Sequence, residues 1–340
     1  MSPGPAPPLL DVDGLNVEFR TQGGTINAVS GVGFRVAPGE TLAIVGESGS
    51  GKSCCVLSIL GLIPAPPGEV TARRIRFRDT DLLGMPEREL RAIRGSRIAM
   101  IFQDPLSSLN PLLTVGKQIA EVLETHCGAD RATARKKSIE LLRLVGIDAA
   151  EQRLNSYPHQ LSGGMRQRVM IAIGLACDPE LLIADEPTTA LDVTIQAQII
   201  DLVKRLRKKN AMSIVWITHD LGVVAGLADR VMVMYAGRVV EEATVDALFA
   251  APLHPYTAGL LRSLPRVDAD HGDELPAIGG LPPDLARLPE GCAFAARCSR
   301  TTERCRRERP RLEAHAAGHS VACWNAPPSN GTRQAGASDR

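Results

Sequence analysis

The sequence predicts an α/β fold with a mixed sheet core, a small antiparallel β region, a helical insert and a C-terminal cysteine-bearing extension. Three observations predict it. Short apolar runs at residues 42–45, 98–102, 181–186 and 214–218 have the continuous hydrophobic character of buried strands. Stretches with helix-type apolar spacing separate them, at 54–60, 116–124, 131–144 and 194–210. The first run leads directly into G-E-S-G-S-G-K-S at 46–53, so strand, glycine-rich loop and helix follow one another.

Each element has a local reason. Residues 15–19 alternate like a strand, and 34–36 run into Pro38-Gly39, a turn signal; together they give the small β region. Residues 73–97 are rich in arginine and read as a solvated face. Segments 116–124 and 131–144, the second with Ile139, Leu142 and Val145 on one side, make the helical insert. Along 194–210, Ile195, Ile199, Leu202 and Leu206 share a face. Lys204, Arg205, Arg207, Lys208 and Lys209 crowd the last turns, where cations suit the helix dipole without any nucleic-acid partner. Residues 231–235 and 238–240, joined by Ala236-Gly237, read as a closing hairpin.

Composition bounds what this fold serves. The chain has 340 residues, 44% hydrophobic, enough for one large domain or two smaller ones. A formal charge of +1 is too balanced for a nucleic-acid binder. No apolar run reaches the roughly 18 residues of a membrane span, and the start M-S-P-G-P-A-P-P lacks the features of a signal peptide and reads as a disordered leader over 1–8. The expected compartment is the cytosol. The eight cysteines are then thiols or metal ligands rather than disulfides.

In the 46–53 loop, Gly46, Gly49 and Gly51 let backbone N–H groups approach phosphate oxygens, with Glu47, Ser48 and Ser50 between them. Lys52 adds a cation, the helix start adds unpaired N–H groups, and Ser53 is placed for magnesium. A second candidate anion site is L-S-G-G-M at 161–165, where Ser162 is a natural N-cap and Gly163 and Gly164 expose backbone N–H groups. The run L-L-I-A-D-E at 181–186 delivers Asp185 and Glu186 to the carboxyl edge of a parallel sheet. Asp185 suits magnesium there, and Glu186 can orient water or accept its proton. Gln103 opens a polar, proline-marked loop after 98–102; His219 follows the strand at 214–218. Each alone is a weak candidate. Phe19 is either core or a stacking surface for adenine.

G-E-S-G-S-G-K-S, Gln103, L-S-G-G-M, L-L-I-A-D-E, Ala190-Leu191-Asp192 and His219 stand in the order and spacing of the nucleotide-binding subunit of ABC transporters, which residues 9–250 resemble. The resemblance implies two such subunits sandwiching two ATP molecules, the phosphate loop of one facing Ser162, Gly163 and Gly164 of the other. It also implies a γ-phosphate contact for His219 and a magnesium or water sensor for Gln103. Met165, where many relatives have glutamine, is the one departure. Long heptads, expected of DNA-repair ATPases, and a second cassette, expected of ribosome-associated ones, are absent from the pattern.

Residues 251–324 resemble the C-terminal extension of ATPase subunits of oligopeptide and dipeptide importers. The implied function is hydrolysis of ATP to power peptide import, with an importer for another small solute or a soluble, uncoupled ABC ATPase as alternatives. Implied partners are two transmembrane permease subunits, a second ATPase subunit that family precedent makes a paralogue, and an extracytoplasmic peptide-binding protein. The implied location is the cytoplasmic face of the membrane. Cys292, Cys298, Cys305 and Cys323 fall in a proline-framed segment that reads as too poor in apolar residues to pack firmly. Their spacing, C-x5-C, C-x6-C and C-x17-C without a C-x2-C knuckle, tilts toward a 4Fe-4S cluster, with zinc and free thiols as alternatives. The resemblance points the same way. Arg304, Arg306, Arg307, Arg309 and Arg311 either offset the cluster's charge or form a solvated basic face. Cys54, Cys55, Cys127 and Cys177 read as small buried hydrophobes, and 325–340 as a disordered tail.

Overall fold

In the computed structural model, residues 7–188, 191–264 and 278–328 are described; most of the expected leader and most of the expected tail lie outside them. The chain begins with the antiparallel pair β1 (Leu10–Thr21) and β2 (Gly24–Val36), then enters a second sheet with β3 (Thr41–Val45), followed by α1 (Lys52–Ile59). It returns to the first sheet with β4 (Gly68–Thr71), β5 (Arg74–Phe77) and β6 (Thr80–Asp81), and passes through α2 (Glu87–Ile93) to β7 (Ile98–Ile101). The helical insert is α3 (Pro105–Ser108), α4 (Val115–Cys127), α5 (Arg131–Leu144) and α6 (Ala150–Arg153), and α7 (Gly163–Gly174) leads back to the sheet. Next come β8 (Leu181–Asp185), α8 (Val193–Asn210), β9 (Ser213–Thr218), α9 (Leu221–Leu227), β10 (Arg230–Tyr235), β11 (Arg238–Thr244), α10 (Val245–Ala250) and α11 (Pro255–Arg262). The extension adds α12 (Glu303–Arg307), β12 (Glu313–Ala316) and β13 (His319–Val321).

The main sheet runs β12-β13-β11-β10-β3-β9-β8-β7. From β10 to β7 its neighbours are parallel, and from β10 to β12 they are antiparallel. Strand periodicity divides the interior. On β8, Leu181 and Ile183 join the core beneath the antiparallel sheet and α1, while Leu182 and Ala184 join the core of the helical insert. On β9, Val215 and Ile217 face the first, Ile214 and Trp216 the second. Each strand is therefore buried on both faces, as a continuous apolar run requires. Caps set the helix starts: Thr114 accepts the Lys117 N–H, Asp130 the Thr133 N–H and Asp192 the Ile195 N–H.

Two expectations need correction. Residues 73–97 are not simply a solvated face: they form β5, β6 and α2, and Arg73, Arg74, Arg94 and Arg97 pair with Asp13, Asp11, Glu87 and Glu180. Each pair keeps at least one partner more than a third exposed, and surface pairs are worth about 0–1 kcal/mol each, so local strand pairing rather than charge orders the segment.

The extension also packs better than its composition suggests, because it borrows a core. β13 pairs with β11, and Glu241, fully buried on β11, accepts from the Leu253 and His254 N–H groups and meets His319 Nε2 at 2.7 Å. Phe294 lies 5.2 Å from Tyr235 and 5.4 Å from Tyr256, ring centre to ring centre. Asn325, placed by its composition in the tail, donates to the Arg300 carbonyl.

Candidate functional site

Parallel pairing builds the site. Val45 on β3 is in register with Thr218 on β9, and Asp185 on β8 with Ile217. The loop after β3, the acids ending β8 and His219 after β9 therefore emerge along one carboxyl edge. The loop is drawn in tightly. A Cβ on Gly46 would stand 2.3 Å from the Met234 carbonyl oxygen, and one on Gly51, at φ 96°, 2.3 Å from that of Ala28. Only glycine fits at either place.

Lys52 is buried at the start of α1, and its Nζ donates to the carbonyls of Gly46 at 2.8 Å and Glu47 at 3.0 Å. Burial lowers its pKa, opposed by Glu186, Asp185 and Glu47. Ser53 Oγ donates to Asp185 Oδ1 at 3.1 Å. Burial raises the Asp185 carboxyl; the Ser53 hydrogen bond works against this, and the neighbouring Glu186 charge adds to it. Glu186 is the meeting point. Its carboxylate lies 4.0 Å from Lys52 Nζ and 3.3 Å from His219 Nδ1, and accepts from Gln103 Nε2 at 3.5 Å. Its backbone is held at φ 45°, a costly conformation for a non-glycine residue, with its N–H on the Ile217 carbonyl.

The structure thus brings together Lys52, Ser53, Gln103, Asp185, Glu186 and His219. Ser162 belongs to another surface: it is exposed, and its hydroxyl caps α7 by accepting the Met165 N–H. A Cβ on Gly163 would meet nothing within 4 Å, while one on Gly164 would touch Ile195. Phe19 packs partly against the core beneath the antiparallel sheet. Ala190 lies outside the described residues; Asp192 caps α8.

Sequence reasoning missed one network. The Glu47 N–H donates to Tyr256 Oη at 2.8 Å, and its carboxylate receives two bonds from Arg297, at 2.7 and 2.9 Å. The partners are 209 and 250 residues away, so no spacing signalled them.

The expectation of a 4Fe-4S cluster, or zinc, on the four C-terminal cysteines is overturned. All four line one small cavity with Phe294 and Trp324. Yet among the described residues no group of three or more histidine, cysteine, aspartate or glutamate side chains is arranged to hold a metal ion. The thiols are engaged instead with protein. Cys305 contacts the Thr302 hydroxyl at 3.2 Å and accepts from Asn325 Nδ2, Cys298 accepts from the Arg300 N–H, and burial raises Cys292, Cys298 and Cys323 toward the neutral thiol. Of the other cysteines, Cys55 is buried as expected, but Cys127 is exposed and touches Cys177 Sγ at 2.8 Å.

Comparison with known proteins agrees with this anatomy. The family model described as "ABC transporter" matches residues 29–189, and that of the "Oligopeptide/dipeptide transporter, C-terminal region" matches 240–305. The oligopeptide transport ATP-binding protein OppD of Bacillus subtilis is 54% identical over 316 residues, covering 93% of this chain and 88% of its own length. The dipeptide transport ATP-binding protein DppD of the same species is 53% identical, covering 93% and 94%. OppD of Haemophilus influenzae is 49% identical, covering 93% and 97%. Their names speak of ATP binding and of oligopeptide or dipeptide transport. Among solved structures, the dimeric ATP-binding cassette MJ0796 bound to ADP and Pi has a TM-score of 0.63 at 30% identity, covering 69% of this chain and 98% of its own. The chain belongs to the ATP-binding proteins of the ABC transporter family, in the oligopeptide and dipeptide transport group.

Proposed function

We propose that this chain is the ATP-hydrolysing subunit that powers peptide import across the cytoplasmic membrane. The observation that carries the hydrolytic reading is the convergence of Lys52, Gln103 and His219 on the Glu186 carboxylate. In this reading the loop from Gly46 to Ser53, through Glu47, Ser48, Gly49, Ser50 and Gly51, cradles the phosphates, and Lys52 contacts them. Ser53, Asp185 and Gln103 suit magnesium: they are oxygen donors, and Ser53 Oγ already meets Asp185 Oδ1 at 3.1 Å. Magnesium there would neutralise developing charge on the phosphates. Glu186 orients water and accepts its proton as the water oxygen attacks the γ-phosphorus and the bond to ADP breaks. His219 contacts the γ-phosphate and keeps Glu186 aimed.

Ser162 and Gly163, exposed at the start of α7, and the half-buried Gly164 serve the ATP of an opposing ATPase subunit, a paralogue of this chain. The dimeric arrangement named for the solved cassette supports the pairing of two ATPase subunits; the choice of a paralogue rests on the family resemblance. No helix among the described residues is long and apolar enough to cross a membrane. In this reading the subunit works peripherally, at the cytoplasmic face, on two transmembrane subunits fed by an extracytoplasmic peptide-binding protein, as the match to transport ATP-binding proteins supports. The peptide cargo is supported by the names of the relatives and by the match of the C-terminal region. Reconstitution in vesicles with those partners tests it: labelled peptide should accumulate with ATP and fail to do so with Glu186→Gln. Hydrolysis coupled to uptake of another solute but not of any peptide would overturn the cargo assignment.

A further inference from the structure

Among the described residues, the hydrogen bonds from the C-terminal extension to the phosphate loop converge on one residue. Glu47 is the second residue of that loop, and each of its polar groups is held. Its N–H donates to Tyr256 Oη at 2.8 Å, while its carbonyl accepts from Lys52 Nζ at 3.0 Å and from the Ser50 N–H at 3.2 Å. Its carboxylate is gripped by both terminal nitrogens of Arg297, whose side chain is only 5% exposed.

Arg297 in turn has no donor to spare. Nε donates to the Gly279 carbonyl at 2.9 Å; Nη1 donates to Tyr235 Oη at 3.3 Å as well as to Glu47; and Nη2 donates to the Ile278 carbonyl at 3.2 Å as well as to Glu47. All five N–H groups of the guanidinium are placed, so its position is dictated from several directions at once. The ring of Tyr256 is fully buried beside Tyr235 and Phe294, which fixes its hydroxyl just as firmly.

We infer that Arg297 and Tyr256 are positioning residues for nucleotide binding, acting through Glu47 to hold the phosphate loop and the Lys52 ammonium in a binding-ready shape. Each meets the loop through Glu47. Their effect is preorganisation: a loop already fixed loses less freedom when phosphate binds. The extension thereby sets the affinity of the site, which makes it part of the nucleotide machinery and not only a docking tail. The inference rests on the ATP-binding reading of the loop.

The test uses the full chain and isothermal titration with magnesium-ATP, alongside thermal melting. Tyr256→Phe removes one hydroxyl and keeps the packing; Arg297→Lys keeps the charge and loses the fork; Glu47→Gln loses the carboxylate. Each should raise Kd by about 5- to 20-fold. Because Arg297 acts through Glu47, the double variant Arg297→Lys/Glu47→Gln should bind no more weakly than the worse single one. Affinities within twofold of wild type in folded Tyr256→Phe and Arg297→Lys would overturn the inference, as would penalties that simply add. If Arg297→Lys fails to fold, Tyr256→Phe alone decides. Failure of the wild-type chain to bind magnesium-ATP would instead overturn the reading of the loop, and the inference with it.

Discussion

His219 Nδ1 stands 3.3 Å from Glu186 Oε2, each residue at the end of its own strand, and the two strands are parallel neighbours. The sheet register therefore sets the distance between imidazole and carboxylate, and substitutions that keep the backbone should change chemistry and not architecture. Glu186→Gln keeps size and hydrogen bonding but removes the proton acceptor. Magnesium-ATP binding should survive, and phosphate release by the assembled transporter should fall by about 100-fold or more. Steady-state hydrolysis within twofold of wild type would remove Glu186 from its role.

Lys52→Ala should act on binding. Its ammonium is the cation facing both Asp185 and Glu186, and it also ties the Gly46 and Glu47 carbonyls. Without it the loop loses two bonds and the phosphates a charge-assisted contact, so Kd for magnesium-ATP should rise by about 10- to 100-fold. Titration of the purified chain gives the answer directly.

The parts of this site that could be read in the sequence are those that are local. G-E-S-G-S-G-K-S is contiguous, and Asp185 and Glu186 announce themselves by ending an apolar run with the pattern of a strand buried on both faces, which β8 is. Gln103 and His219 became strong candidates only in the company of the other motifs, because a single polar residue after a strand has many uses. Tyr256 and Arg297 were illegible, since their value lies in a fold that returns the chain to residue 47 from 209 and 250 positions away. The extension was misjudged for a related reason: its own apolar content is low, but Tyr256 and Phe294 complete a core whose other walls, among them Val45 of β3 and Val233 and Tyr235 of β10, come from the ATPase domain.

Gly163→Asp separates the two anion sites. A side chain there meets nothing within 4 Å, and a carboxylate in the first turn of α7 is favourable to the helix dipole, so melting should not fall. The same charge would repel the triphosphate of the opposing subunit. The isolated chain should bind magnesium-ATP within twofold of wild type, while hydrolysis by the assembled pair drops by on the order of 100-fold. Equal loss in both measurements would mean that α7 serves the chain's own nucleotide.

The extension should also make the fold sensitive to mild acid, through His254. This residue is 2% exposed, and its Nδ1 accepts the Tyr256 N–H at 3.1 Å, a bond that only an unprotonated nitrogen can accept. Burial lowers its pKa from 6.5 to about 4. Between those values the unfolded chain binds a proton that the folded chain refuses, so stability rises with pH across that window and is lost as pH falls through it. The full effect of a shift from 6.5 to about 4 is on the order of 3 kcal/mol, complete only below the folded value. His254→Asn keeps a side-chain acceptor at the start of α11 and removes the titration. Melting temperature measured from pH 7 to pH 5 should fall less steeply in this variant than in wild type, and parallel curves would show that His254 does not carry the dependence.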